Sequence, residues 1–515
     1  MALSRRQLLR LATAAGAAGA LRTVVGSGHR TRAEAAAARP KQGGVLKIAW
    51  TSSPRSLDPA LGISGDEYMI SQNMYDNLVR IDEKLQPQPQ LATRWQPNER
   101  GDVWTFTLRQ GVKFHHGRGL TAKDVVFTFE RLLDPKTGSP GRTAMGPIQK
   151  VEAVDDYTVR FRLAVPYADL PLVLGIPFGR ILPADRADLI TAAPSGSGPF
   201  RLAEFRPGEY IRMVKFQNYW DGERPYLNEL WQVTIPNVAG HVAALSGGEI
   251  QAMFEVPVAY IPALSRAPGV SLVDVKSPGF QPIVMMPTAR PFDNPKVRQA
   301  MKYLVDREVI IRTIWQGRAT VADDHPVPTI NPYYVVTSPK HTYDVARARA
   351  LLAEAGYPGG LSIELWTTGE RAGMQELAVA AQQMAAPAGL RIEVRSVPYN
   401  VHVSTVFKKR PFYVSNWFGR ATIDETLHPY FHTGGAWNEG YSNRELDRML
   451  DDGRSQVDLR KRKAIYTQAQ QLIHDDGHWV VVYHTSFVVG MRSSVKGHIV
   501  HPLRYWDFRW TSLES

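Results

Sequence analysis

The sequence predicts an α/β protein built in layers, and three observations carry that prediction. Strand-length alternation and helix-length periodicity succeed one another along the chain, above all after residue 280. Capping residues mark where several of the helices start and stop. The composition, 44% hydrophobic and 21% charged, is that of a chain folding around apolar cores and excludes a disordered one. With 515 residues there is material for about three structural units.

The elements follow in order. Residues 47–50 read as a first strand, and Pro54 and Pro59 bracket the loop after it. Residues 102–109 alternate polar and apolar side chains, the period of a half-buried strand, and residues 157–163 repeat the pattern with Val159, Phe161 and Leu163 on one face. Between them, Thr121 to Asp124 fits a capping box opening a helix with Val125, Phe129, Leu132 and Leu133 on one face; Asp134-Pro135 stops it. Residues 210–216 and 231–235 are further strand candidates. Asn294-Pro295 supplies an N-cap and an N1 proline, and Val297, Met301, Leu304 and Val305 keep helical spacing. A helix over 343–355 closes on Gly356, with Pro358 beyond. Residues 363–366 and 392–397 are strands, 443–450 and 459–473 helices, and 479–483 an apolar run of strand length.

The chain carries 61 Lys+Arg against 49 Asp+Glu, a formal charge of +12, and no cysteine. Zero cysteine removes disulfides, thiolate zinc sites, iron–sulfur clusters, Cys nucleophiles and thioether lipid anchors. Residues 1–38 read as an export signal. Arg5-Arg6 in Ser4 to Arg10 resembles a twin-arginine motif, an Ala/Gly-rich stretch follows, and 35–38 offers small residues for cleavage. Six arginines and one glutamate in that segment account for five of the excess charges, leaving +7 on the rest. The remaining basic residues are scattered, and the run Arg460 to Lys463 sits on an amphipathic helix as a solvated face, so nucleic-acid binding is not expected. No later apolar run approaches the roughly 18 residues of a membrane span. Enzyme signatures are missing: there is no H-E-x-x-H, and Gly196-Ser197-Gly198 lacks the surroundings of a phosphate loop or a nucleophile elbow.

Five blocks, in this order, carry a resemblance. They are residues 54–59 (Pro-Arg-Ser-Leu-Asp-Pro), 75–79 (Tyr-Asp-Asn-Leu-Val), 91–95 running into 112–117, 195–200 (Ser-Gly-Ser-Gly-Pro-Phe) and 294–300. The segments 351–358 and 441–447 also fit. Spanning roughly 43–512, the ordered set resembles the extracellular solute-binding proteins of ABC importers, family 5, the dipeptide/oligopeptide/nickel class. The resemblance implies a two-lobe periplasmic-binding-protein fold of type II with ligand enclosed between lobes joined by a hinge. Lobe I would comprise 43–280 plus 487–515, with an extra subdomain over about 83–190, and lobe II 281–486. The chain would cross the hinge near 279–283 and 484–487. It implies a small-molecule or peptide ligand, delivery to an ABC permease with its ATPase subunits, a monomer, no cofactor, and a freely soluble periplasmic product. The competing classes are a secreted hydrolase using cleft carboxylates and a metal-chelate uptake protein.

For the ligand site the resemblance points to Ser415 to Glu425. Trp417 matches the family's aromatic wall, while Arg420 stands where peptide binders carry an acid for the ligand's amino terminus. A guanidinium there repels an ammonium and favours a carboxylate or phosphate. Asp424, four residues on, remains available for an amine, or Arg420 and Asp424 simply pair at the surface. Trp366 and Tyr68 are further aromatic candidates. Met286, where relatives carry a polar residue, signals either a less polar ligand or core packing, and His325 is placed to approach the ligand. His474, His478 and His484 invite a metal reading, but Gly477 ends the helix between the first two and no third ligand is fixed by spacing, so no metal is expected.

Overall fold

Two long antiparallel strands, Val270–Met285 and Trp479–Arg492, organise the molecule. They are the central pair of an 11-stranded sheet in the computed structural model, which describes residues 39–514. The export-signal reading over 1–38 falls outside the described residues.

On one side of the pair the sheet continues through Phe412–Val414, Leu361–Thr367 and Leu390–Ser396. On the other it continues through Ala252–Met253, Val45–Trp50, Glu229–Thr234, Tyr210–Lys215 and Phe200–Arg206. Both inner flanks mix parallel and antiparallel pairings, as expected of α/β layers whose crossovers carry helices. The central strands are buried for most of their length, and Trp479 to Tyr483 is a continuous apolar run with both faces covered.

A separate four-stranded antiparallel sheet holds Ala92–Pro97, Val103–Leu108, Thr158–Leu163 and Ile148–Asp155. The helix Ala122–Leu133 packs Val125, Phe129 and Leu132 onto its apolar face with Phe106 and Phe161. The capping box at Thr121 forms with Asp124 as its partner. Each fully buried aromatic contributes about 1.5–3 kcal/mol from area alone, which lets a small sheet hold its own core.

Several expected elements differ in extent. The helix from Asn294 stops at Lys302 and a second, Arg307–Ile314, starts from an Asp306 N-cap; Leu304 and Val305 reach the core from the turn between them. The helix after Asn443 runs to Ser455, because the Leu446 and Leu450 stripe continues onto the buried Gly453. The helix from Asp458 runs Leu459–Asp476 before Gly477. Where the hinge crossing is expected, the central pair breaks register twice, between Lys276 and Phe280 and again between Phe280 and Pro282.

Segments distant in sequence close on each other away from that break. The Ala168 N–H donates to the Arg454 carbonyl at 2.9 Å. Asp169 and Arg462 form an ion pair at 2.6 Å with side chains 2% and 3% exposed. The basic run at 460–463 is therefore not one solvated face: the helix turns Arg462 inward, where it also reaches the Gly453 carbonyl and the Tyr333 hydroxyl. No helix among the described residues is long and apolar enough to cross a membrane.

Candidate functional site

The register break opens a cavity of about 320 Å³ beside the central strands. Ser277, Gly279, Gln281, Thr485 and Ser486 line its floor. Glu255 and Pro502 to Arg504 stand on one side, and Trp315, Arg371, Ala372 and Asn416 to Gly419 on the other.

Glycine makes that closeness possible. A Cβ at Gly419 would lie 2.0 Å from the Pro278 ring, and one at Gly279 would lie 2.8 Å from Thr485 Oγ1. The loop carrying Trp417 is thereby stitched to the strand by two backbone bonds, Phe280 N–H to Trp417 O at 3.0 Å and Trp417 N–H to Phe280 O at 2.9 Å. Gln281 holds the next segments: its amide donates to Ala372 O at 2.9 Å and Asn416 Oδ1 at 3.0 Å, and its oxygen accepts from the Tyr483 hydroxyl at 2.6 Å. Arg371 lies 4.1 Å over the Tyr399 ring. The indole N–H groups of Trp315 and Trp417 are buried with no protein acceptor. Buried donors are rarely left unpaired, so two on one cavity wall are ready for acceptors on a ligand.

Through Gly419–Arg420 and Arg504–Tyr505 the cavity adjoins a charged aromatic cluster. Burial opposes the Arg420 charge, but Tyr430, Glu425 and Tyr505 favour the cation and the net shift is upward. Among the described residues no carboxylate oxygen lies within the 4.0 Å of an ion pair from Arg420. Burial, with Asp169 and Asp424 adding to it, pushes the Glu425 carboxyl up to about 7 against the pull of Arg420. Arg180 is fully buried, bonded to Tyr68 O at 3.0 Å and to the side chains of Ser71 and Gln72; burial pushes its pKa down to about 9.

The expected site residues separate accordingly. Trp417 lines the cavity and packs edge-on against Tyr430, Phe407 and Trp437 at 4.7–5.7 Å. Arg420 adjoins it. Tyr68, on the helix Gly65–Met74, is partly buried edge-on to Phe178 and within electrostatic reach of Arg180 and Arg420. The other four are not brought there. Both Asp424 oxygens accept from Arg454 at 3.0 Å, so neither a ligand amine nor Arg420 has them. Trp366 carries Arg410 at 4.4 Å over its ring and packs against an aromatic core. His325 is fully buried beside Tyr334, and burial drives its pKa down to about 3. Met286 caps the far end of its strand, six residues from the Phe280 bridge, or about 20 Å at strand rise; it packs on the core.

The three histidines of the metal reading are otherwise engaged. His474 contacts Asp323 O at 2.8 Å and Pro339 O at 2.9 Å, His478 meets Glu439 at 2.8 Å, and His484 meets Pro326 O at 3.1 Å. Sequence reading passed over Gln281, Trp315, Arg371, Arg180 and Tyr505, which come from separate segments with no shared motif. Glu425 lay inside the highlighted stretch without being singled out.

A mixed α/β fold with a cavity where two long strands link two halves defines a two-lobe solute-binding protein of the periplasmic type. The model of "Bacterial extracellular solute-binding proteins, family 5 Middle" matches residues 86–438, and the chain belongs to that family. It is 30% identical over 500 residues to heme-binding protein A of Haemophilus influenzae, covering 90% of this chain and 91% of the relative. It is 29% identical over 479 residues to the glutathione-binding protein GsiB of Pectobacterium atrosepticum, covering 90% and 92%. Among solved structures it is similar to the periplasmic binding protein DppA of Helicobacter pylori in complex with the peptide STSA. That match has a TM-score of 0.75 at 29% identity and covers 92% of this chain and 99% of that one.

Proposed function

We propose that this protein is the exported solute-binding component of an ABC importer and that its ligand is a peptide-like or other small organic anion. The observation that carries the reading is the Arg420 guanidinium. It sits at the cavity edge without an ion-pair partner, while Arg454 and Arg462 nearby are each taken by a buried carboxylate. A carboxylate or phosphate would seat against Arg420, with a flat apolar part on Trp417 and acceptors facing the two free indole N–H groups. The chemistry of the relatives' ligands agrees, since heme, glutathione and a peptide all carry carboxylates.

Lobe I is assigned to 43–280 with 487–515 and its subdomain over about 83–190, and lobe II to 281–486. The central strands then cross between lobes at the register break, and Asp169–Arg462 joins the lobes in a closed form. Ligand contacts made only in that form shift the population toward it. The protein acts by binding and release, as a monomer, after export through the twin-arginine route; ATP hydrolysis belongs to the permease's partner subunits.

Native mass spectrometry of the purified protein, looking for a co-purified small molecule, supports the reading if the mass is that of an organic acid or peptide. Calorimetry with a peptide and its C-terminally amidated twin sharpens it. Equal affinity for the two, or a cationic ligand, overturns the anion assignment.

A further inference from the structure

A second cluster lies outside the cavity. His428, in the last turn of the helix Ile423–Phe431, and His432, which caps that helix, are four residues apart, and their rings stack at 4.2 Å with planes 10° apart. Both Nε2 atoms face one carboxylate on the neighbouring helix Arg444–Ser455: His428 Nε2 lies 3.5 Å from Asp451 Oδ1, and His432 Nε2 lies 3.4 Å from Asp451 Oδ2. One ligand atom from each of the three residues lies within 4.8 Å of the others.

These separations are long for charge-assisted hydrogen bonds, which run about 2.7–2.9 Å. They match the edge of a ligand tetrahedron around zinc, about 3.3–3.5 Å for metal–ligand bonds of about 2.0–2.15 Å. The tautomer is set in the same sense. The Nδ1 of His432 lies 2.8 Å from the Thr433 carbonyl, and the Thr433 N–H in turn donates to Asp447 Oδ1 at 2.8 Å. With the Nδ1 hydrogen committed to that carbonyl, a neutral His432 turns the Nε2 lone pair toward Asp451, acceptor to acceptor, an arrangement that needs a cation between them. The side chains remain accessible, at 16%, 23% and 59% exposure.

From this juxtaposition we infer that His428, His432 and Asp451 form a binding site for one borderline divalent transition cation such as Zn²⁺, with water completing its coordination. None of the three lines the cavity, so the site is separate from ligand capture. It would tie the helix carrying Glu425 and Tyr430 to its neighbour.

Dialysed, untagged protein titrated with zinc chloride, and separately loaded with Co²⁺, tests this. Wild type is expected to take up one equivalent of zinc at micromolar concentration, to melt higher with the metal, and to give the intense visible bands of tetrahedral cobalt. His432→Gln and Asp451→Asn are each expected to weaken uptake at least tenfold and to lose those bands. Asp451 is largely exposed, so Asp451→Asn keeps the test sound even if a histidine variant folds poorly. Equal zinc uptake by wild type and Asp451→Asn, or no uptake by wild type, overturns the site.

Discussion

Two contacts between the halves of the molecule handle arginine in opposite ways. At 168–169 against 454–462, charge is cancelled inside the protein: Arg462 has Asp169, and Arg454 has Asp424. At the cavity edge Arg420 has aromatic neighbours and Glu425, a carboxyl whose own charge is suppressed to about pH 7. The first arrangement is complete without a ligand and fixes how the halves meet. The second leaves a positive site for something from outside to complete. Closure and selectivity are thus placed in different residues.

The sharpest way to break this division is Asp169→Ala. Removing one partner of a buried pair leaves the other uncompensated, at about 3–5 kcal/mol, so ligand affinity should fall 10²–10³-fold for every ligand alike. Small-angle scattering should show a more open molecule; unchanged affinity and dimensions would mean the pair has no part in closure. Arg420→Ala comes next. Loss of a charged hydrogen bond of about 1.5–3 kcal/mol should weaken an anionic ligand roughly 10- to 100-fold while leaving its neutral analogue nearly unaffected. Trp417→Phe keeps the ring and removes the N–H; at about 1 kcal/mol per hydrogen bond, calorimetry should register a loss of about fivefold.

A pH series probes Glu425. Its folded pKa of about 7 lies above the ordinary 4.5, so its contribution to stability is full below 4.5 and is lost as pH rises through 7. The carboxylate formed on the way up also repels an anion, so affinity should be higher at pH 6 than at pH 8 by a few-fold. In Glu425→Gln that slope should vanish, and a slope of opposite sign would place Glu425 against a ligand cation. The smallest effect belongs to Met286→Leu, a volume-conserving core change about 20 Å along the strand from the cavity: affinity should stay within twofold.

Local order was legible where the chain states it locally. The alternation over Val103–Leu108 and the capping box at Thr121 depend on near neighbours, and both appear as read. The site was legible only where one segment holds several of its parts, so Trp417 and Arg420 could be named together. Gln281, Trp315 and Arg371 meet through the register break in a long strand pair, which no spacing in the sequence announces. Asp424 failed as a ligand group because its partner sits 30 residues on, at Arg454, and helical spacing alone suggested Arg420. His325 and Met286 failed because burial, which one sequence does not show, removed them from the cavity.

The stitching of Trp417 to Phe280 has an evolutionary consequence. The loop is pinned at Trp417 and pressed against Pro278 at Gly419, so its path is settled before residue 420 is reached. The side chain at 420 is then free to vary without disturbing the strand crossing that lets the halves move. A lineage can exchange its nutrient by mutating one position while inheriting the moving parts intact.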